Sequence, residues 1–357
     1  MIVYEDKRTE SCFLDILNKE QPHKILLFTG KESYANSDIK DFFDTLTGKY
    51  DITRYSDFNK NPDYVDVLNA LKSTHEASFD MIVALGGGSV IDFAKLYALF
   101  SKNIGQFELD FQDVSSLSVT VPLVAIPTTS GSGSEATHFA VMYKKGEKYS
   151  VASQHLLPKY IIIDPILSYS MSKYLTACSG MDAFCQALES MWAKNATNES
   201  RQYAVRALKL IWPNIKKAFN SPDELSRKAM SLGAYYAGKA INISKTTAPH
   251  ALAYYLTDKH GISHGEAVAM NIHHFIEINW PALNQKTIEE IQSIFKVKTA
   301  FELKKLVNEL KRDLGLRKDI TEIPSLNLDL YLNSVNLERL ANNPIAVELV
   351  SLKKMMY

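Results

Sequence analysis

Three residues in the C-terminal half of the chain have the types and spacing of a metal site. His250 and His264 lie 14 residues apart, each beside an apolar stretch of helical character, and Asp182 lies near the start of a helix predicted over residues 180–194. Two imidazoles and one carboxylate leave a coordination position open, which is usual for a catalytic Zn²⁺ or Fe²⁺. The alternative is that these are surface or core histidines, since the chain has 9.

A glycine-rich turn, Gly86-Gly87-Gly88-Ser89, lies between a strand predicted over residues 81–85 and a helix predicted from near residue 90. Glycines let the backbone approach a phosphate closely, and the next helix offers N–H groups and its positive dipole end. Ser89 can cap that helix, and Asp92 lies in its first turns. The pattern predicts phosphate binding, with a purely structural turn as the alternative. It is not the GxGxxG fingerprint.

A second polar cluster, Thr128 to Glu135, follows a strand predicted over residues 122–127. A linker would also have this composition. However, open α/β sheets bind ligands at the carboxyl ends of parallel strands, which is where this cluster lies. We therefore keep both interpretations.

The elements that must position these residues change character along the chain. Up to Asp164-Pro165, strands predicted over 24–29, 51–55, 81–85, 122–127 and 160–163 alternate with helices over 37–46 and 62–75. Beyond it, helices are predicted over 180–194, 199–218, 222–243, 267–279 and 300–314. This pattern predicts a Rossmann-like α/β nucleotide-binding domain over residues 1–166. An all-helical domain for metal and substrate is predicted over residues 167–357.

Length and charge agree with an enzyme of two domains. The chain has 357 residues, more than the roughly 250–300 at which single cores stop growing. Its 40 Lys and Arg balance 40 Asp and Glu, which argues against a nucleic-acid partner. Three cysteines fit a reducing compartment. No leader-like start or membrane-length apolar run is present, so we expect a cytoplasmic protein.

Five motifs in order resemble the iron-containing (group III) alcohol dehydrogenase family, over roughly residues 20–280. They are GGGSVIDFAK from Gly86, PTTSGSGSE from Pro127, Asp164-Pro165, GMDA from Gly180, and HALA from His250 leading to His264-Gly265. The resemblance implies the fold shared with dehydroquinate synthase. It also implies an NAD(P)-dependent alcohol dehydrogenase or aldehyde reductase with one divalent metal, Fe²⁺ or Zn²⁺.

The same resemblance assigns roles to residues. The metal ligands would be Asp182, His250 and His264, which would hold the ion on the substrate oxygen. The cofactor would contact the glycine-rich turn and residues around it, namely Gly86, Gly87, Gly88, Ser89, Asp92, Thr128, Thr129, Ser132, Lys148 and Asn61.

The sequence departs from the family pattern at two positions. Gln186 stands where the family usually has a fourth ligand, a histidine, one helical turn after Asp182. Its amide oxygen could complete the ligand set or hydrogen-bond a water, which leaves the metal open between Fe²⁺ and Zn²⁺. Tyr254 stands where many relatives have a proton-relaying histidine. It is either a proton donor at the catalytic site or a packed helix aromatic.

Cofactor preference has one indication. NAD-preferring relatives often have an aspartate after the early strand, but this chain has Gly30 followed by Lys31. A glycine removes the carboxylate that would repel a 2′-phosphate, and Lys31 or Ser33 could contact that phosphate. The sequence therefore predicts that NADP(H) is preferred.

A narrower resemblance concerns the substrate. The segments from Gln186 to Trp192, Asn198 to Arg201 and His250 to Leu256 are similar to phosphonoacetaldehyde reductases, which make 2-hydroxyethylphosphonate. Arg201 and Lys245 are candidate partners of the substrate anion, although a solvated helix charge is the better explanation of each one alone. We also expect a homodimer.

Two rival functions remain open on the sequence. A dehydroquinate synthase or glycerol dehydrogenase shares the architecture, but the synthase usually has glutamate as its carboxylate ligand. A non-catalytic nucleotide-binding relative would explain Gln186 and Tyr254 as a decayed site. The three remaining ligands argue against that second rival.

Overall fold

The computed structural model describes residues 1–35, 39–119, 121–348 and 352–353. They divide into two compact units, one formed by Met1–Thr129 with Gly133–Ser170 and the other by Ser130–Ser132 with Met171–Tyr357. Ser37, the first residue of one predicted helix, lies outside the described residues.

The first unit contains a six-stranded sheet. Its strands are β1 (Ile2–Glu5), β2 (Lys24–Thr29), β3 (Asp51–Tyr55), β4 (Met81–Gly86), β5 (Leu123–Pro127) and β8 (Tyr160–Ile163). Their order across the sheet is β1-β8-β5-β4-β2-β3, and each of these pairings is parallel. The predicted α/β class is confirmed.

Helices cover both faces of this sheet. They are α1 (Thr9–Glu20), α2 (Lys31–Ala35), α3 (Ile39–Leu46), α4 (Tyr64–Ser73), α5 (Gly88–Phe100) and α6 (Ile104–Asp110). Leu26 and Phe28 pack into one core with α5, whereas Ile25 and Leu27 pack into another with α1. Successive strand residues point to opposite faces, so burial on both faces explains the continuous apolar runs.

A hairpin that the sequence did not predict follows β5. Strands β6 (Phe139–Lys144) and β7 (Glu147–Ala152) are antiparallel. Lys145 and Gly146, at φ 55° and 81°, form the two-residue turn between them. Positive φ at both central residues matches the turn type that fits strand twist. Polar residues make β7 resemble a loop, whereas β6 is largely apolar and carries a strand signal that the prediction did not use.

The second unit is helical, as predicted. Its helices are α7 (Lys173–Trp192), α8 (Asn198–Asn220), α9 (Glu224–Ser244), α10 (Ala248–His260), α11 (His264–Asn279), α12 (Gln285–Phe295), α13 (Ala300–Asp313), α14 (Leu328–Asn333) and α15 (Leu337–Ala341). Helix α7 packs against α8, α9 and α11. Among the described helices, none is both long and apolar enough to cross a membrane.

Helix α7 begins earlier than the sequence predicted. Ser172 caps it by accepting a hydrogen bond from the Leu175 amide at 3.2 Å, so the helix starts at Lys173 rather than at 180. Asp182 therefore lies in the buried middle of α7, and its predicted place near the helix start is wrong.

Candidate active site

Three helices of the second unit bring the predicted ligands together. Asp182 comes from α7, His250 from the first turn of α10, and His264 from the first residue of α11. One ligand atom from each lies within 4.8 Å of the others, and His250 Nε2 is 3.4 Å from Asp182 Oδ1. Such a cluster can hold one divalent ion and leave a position for a substrate oxygen.

A close contact between α7 and α11 sets the position of His264. Gly265, the next residue, lies so near α7 that an added Cβ would be 1.9 Å from the Cys178 carbonyl oxygen and 3.0 Å from Asp182 Cβ. Any side chain here would hold the two helices apart. The glycine therefore brings His264 within reach of Asp182.

A second carboxylate, Glu189, orients one of the ligands. It is fully buried, and its Oε2 contacts His250 Nδ1. Its Oε1 accepts hydrogen bonds from the Thr247 amide and hydroxyl, both at 2.8 Å. A carboxylate on Nδ1 fixes the imidazole so that Nε2 faces the metal. Glu189 was not among the residues predicted from the sequence, although it lies on the same face of α7 as Asp182, two turns later.

The charges of the site favour a cation. Burial by itself lowers the pKa of His250, but the Glu189 and Asp182 carboxylates outweigh it and raise that pKa overall. The negative potential that holds a proton on an imidazole also stabilises a divalent ion, and the two carboxylates match its charge.

Two buried polar atoms show that the site fits a metal. Within the described residues, His250 Nε2 and Gln186 Oε1 are buried without a hydrogen-bond partner, a costly state unless another group binds them. The Gln186 side chain is held by its Nε2, which donates to the Ser132 carbonyl at 3.2 Å. Its free oxygen is therefore available as a fourth ligand.

Tyr254 lies directly beside the ligands. Its ring stacks on that of His264, with centroids 5.7 Å apart and an interplanar angle of 1°. The Arg339 guanidinium of α15 lies against its hydroxyl. Burial raises the pKa of this hydroxyl, and the positive charge of Arg339 opposes that rise. Whether this hydroxyl exchanges a proton with a substrate stays a prediction.

We expect Glu189→Gln to lower the affinity for the metal by about 10- to 100-fold, because an uncharged amide holds the His250 imidazole less firmly and adds no negative charge. Competition with a chelator measures this affinity directly. Thr247→Val is the matched control, since it removes one hydrogen bond of Glu189 but keeps its contact with His250. Equal affinities in wild type and Glu189→Gln would contradict the role of Glu189.

The glycine-rich turn lies in the first unit, at the carboxyl ends of β4 and β5. Gly86 ends β4, and Gly88 begins α5. The Thr128 amide donates to the Gly86 carbonyl at 3.0 Å, and a Cβ on Gly87 would be 3.3 Å from the Thr129 side chain. The structure thus brings both predicted polar segments to one edge of the sheet, next to the first-turn N–H groups of α5, Ser89 among them.

Asp92 and Lys95 anchor the loop that follows β5. Asp92 accepts hydrogen bonds from the Ser134 hydroxyl and, at 3.0 Å, the Val141 amide. Lys95 is fully buried and donates to the carbonyls of Ser134, Thr137 and Phe139 at 2.5–3.0 Å. Both residues stabilise the loop's position. Whether Asp92 also contacts a cofactor stays a prediction.

The remaining predicted cofactor residues lie on separate elements. Lys148 is in β7, paired with Tyr143 across the hairpin, and its charge acts on Asp92. Asn61 is exposed in the segment before α4. Ser132 belongs to the short segment assigned to the second unit, where it contacts Gln186. Their cofactor contacts stay predictions.

The fold and the site together define a class of protein. Its first unit is a parallel α/β sheet of the kind that binds nucleotides, with a glycine-rich turn, and its second unit is helical and carries an Asp-His-His cluster. Comparison with known proteins narrows this class. Residues 2–165 match the iron-containing alcohol dehydrogenase family, and residues 176–327 match its C-terminal domain. The chain belongs to the iron-containing alcohol dehydrogenase family.

Individual relatives agree with this membership. The chain is 34% identical to long-chain-alcohol dehydrogenase 1 of Geobacillus thermodenitrificans. The matched region covers 62% of this chain and 57% of that protein. It is 30% identical to the NAD-dependent methanol dehydrogenase of Bacillus methanolicus over 82% of this chain and 78% of that one. The structure of sulfoacetaldehyde reductase from Bifidobacterium kashiwanohense in complex with NAD⁺ matches with a TM-score of 0.91 and 26% identity, covering 100% and 96% of the two chains.

Proposed function

We propose that this chain is a metal-dependent, NAD(P)-linked alcohol dehydrogenase that interconverts a small aldehyde and its alcohol. The convergence of Asp182, His250 and His264 from three helices is the observation that carries the proposal. Gln186 is the fourth group able to bind the ion, which is Fe²⁺ or Zn²⁺. Family membership and the glycine-rich turn at the sheet edge support the nicotinamide cofactor.

When bound, the divalent ion supplies Lewis acidity for a carbonyl oxygen and the nicotinamide supplies the hydride. The chain's own residues prepare the site. Glu189 keeps His250 Nε2 directed at the metal position, and Asp182 contributes negative charge. The Tyr254 hydroxyl is proposed to give a proton to the alkoxide and to take it back in the reverse direction, with the stacked His264 holding its ring in place.

The cofactor is proposed to be held by residues of the first unit. The N–H groups at the start of α5 would bind the pyrophosphate beside Gly86–Ser89. Preference for NADP(H) is supported by Gly30, which has no carboxylate, and by Arg54, whose guanidinium donates to Thr29 Oγ1 at 2.8 Å and to the Gly30 carbonyl. Lys31 is a weaker candidate for the 2′-phosphate because it pairs with Asp57 at 2.8 Å.

The substrate is proposed to be a two-carbon aldehyde with an anionic head group, such as phosphonoacetaldehyde. The similarity to sulfoacetaldehyde reductase supports this class, since that protein's substrate by name pairs an aldehyde with an anion. Assembly as a homodimer and a cytoplasmic location remain expectations.

A panel of aldehydes assayed with NADH and NADPH, each with Fe²⁺ or Zn²⁺ added, tests the proposal. We expect oxidation of the nicotinamide, followed at 340 nm, with phosphonoacetaldehyde and faster with NADPH. At least a tenfold preference for NADH would contradict the cofactor assignment alone. No change in absorbance with any aldehyde under any combination of metal and cofactor would contradict the proposed reaction.

A further inference from the structure

Arg339 places a positive charge next to the metal ligands. Its Nη1 donates to the Thr246 hydroxyl at 2.5 Å, and its guanidinium lies against the Tyr254 hydroxyl. The Tyr254 ring in turn stacks on His264. The guanidinium is therefore connected to the ligand His264 through a single side chain, that of Tyr254.

The short helix α15, which carries Arg339, is firmly attached at this place. Asn342 donates through Nδ2 to the carbonyls of Ser244 and Thr246, both at 2.9 Å. Asn336 caps the helix by accepting from the Arg339 amide at 2.9 Å. These bonds join α15 to the segment that leads into α10, so the position of the guanidinium is fixed relative to His250. A fixed cation is what recognition of a small anion requires.

The two cationic side chains that the sequence suggested for the substrate anion have other partners in the structure. Lys245 pairs with Glu338 at 2.6 Å, and both side chains are largely exposed. Arg201 donates to the Met191 carbonyl at 3.4 Å. Arg339, by contrast, is partly buried and contacts Tyr254, whose ring stacks on His264. A guanidinium also offers a planar pair of N–H donors, which fits two oxygens of a phosphonate or sulfonate better than an ammonium does.

We propose that Arg339 binds the anionic head group of the substrate, so that the enzyme selects small aldehydes bearing a phosphonate or sulfonate over uncharged ones. This inference rests on the proposed function, since it assigns a substrate class to the same site. Arg339 acts here as a specificity-determining residue.

The test compares phosphonoacetaldehyde, sulfoacetaldehyde and propanal with wild type, Arg339→Gln and Arg339→Lys. We expect Arg339→Gln to lower the kcat/KM ratio of an anionic aldehyde to propanal by about 10- to 100-fold, chiefly through KM, because one charge-assisted hydrogen-bonded contact is lost. Arg339→Lys should recover part of that ratio. The better of the two anionic substrates identifies the head group. Thr246→Val, which removes a hydrogen bond but keeps the cation, should leave the ratio near that of wild type.

Calorimetric binding of 2-hydroxyethylphosphonate to the metal-loaded protein gives a second readout. Arg339→Gln should weaken it by a similar factor, with Arg339→Lys intermediate. An equal loss for all three aldehydes would overturn the inference, because it would mean that Arg339 acts only through Tyr254. An unchanged ratio would also overturn it. If wild type reduces no aldehyde, the proposed function fails on its own, and the calorimetric comparison still decides whether Arg339 binds the anion.

Discussion

Replacing Gly265 by alanine is expected to separate α11 from α7 and to destroy the metal site. The new Cβ would lie 1.9 Å from the Cys178 carbonyl oxygen and 2.8 Å from its carbonyl carbon. Both are backbone atoms, so no side-chain rotation can relieve the overlap. Because His264 precedes Gly265 directly, moving α11 away also moves this ligand away from Asp182.

The expected loss in the free energy of unfolding is about 3 kcal/mol or more, the upper end of the usual cost of overpacking. Affinity for Fe²⁺ or Zn²⁺ should fall with it. Denaturant unfolding and metal titration measure the two effects. Gly105→Ala is the matched control, because it lies in helix α6 where an added Cβ meets nothing within 4 Å. It should be neutral or slightly stabilising. A Gly265→Ala protein with wild-type stability and metal affinity would refute this account of the α7–α11 contact.

Removal of a ligand is the second large effect. Asp182→Ala and His264→Ala each delete one of the three groups that converge on the site, and each is expected to lower kcat by more than about 1,000-fold, beyond the loss of a single charge-stabilising donor. The groups that remain would hold the ion less firmly and would no longer keep it where it could polarise a carbonyl. Steady-state rates with added metal check this expectation.

Cofactor binding should survive these substitutions, because the glycine-rich turn lies in the other unit. Fluorescence titration with NADPH is expected to give a Kd close to that of wild type. His260→Ala, a histidine at the end of α10 that contacts Tyr255 rather than the ligands, is the control and should keep metal binding. Turnover unchanged in Asp182→Ala would rule out the metal assignment.

The sequence by itself determined the α/β class, the helical second unit and three candidate ligands. These features depend on the order of residue types within short stretches of the sequence. Strand and helix periods, the glycines before α5 and the motif around His250 are each readable within a short window. It also pointed to Gln186 and Tyr254 as the positions where this chain departs from the family pattern. In the structure Tyr254 stacks on His264, and Gln186 is buried one helical turn after Asp182 in α7.

Only the tertiary structure showed which distant side chains complete the site. Glu189 and His250 are 61 residues apart in the chain, and Arg339 and Thr246 are 93 apart. No local pattern relates such pairs, because their contact depends on how α7, α10 and α15 pack. The early start of α7 follows from the Ser172 cap, and the helix is buried from Thr176 to Trp192 except at Ser179. Residue types thus defined the chemistry available to this chain, and packing decided which groups contact the predicted ligands.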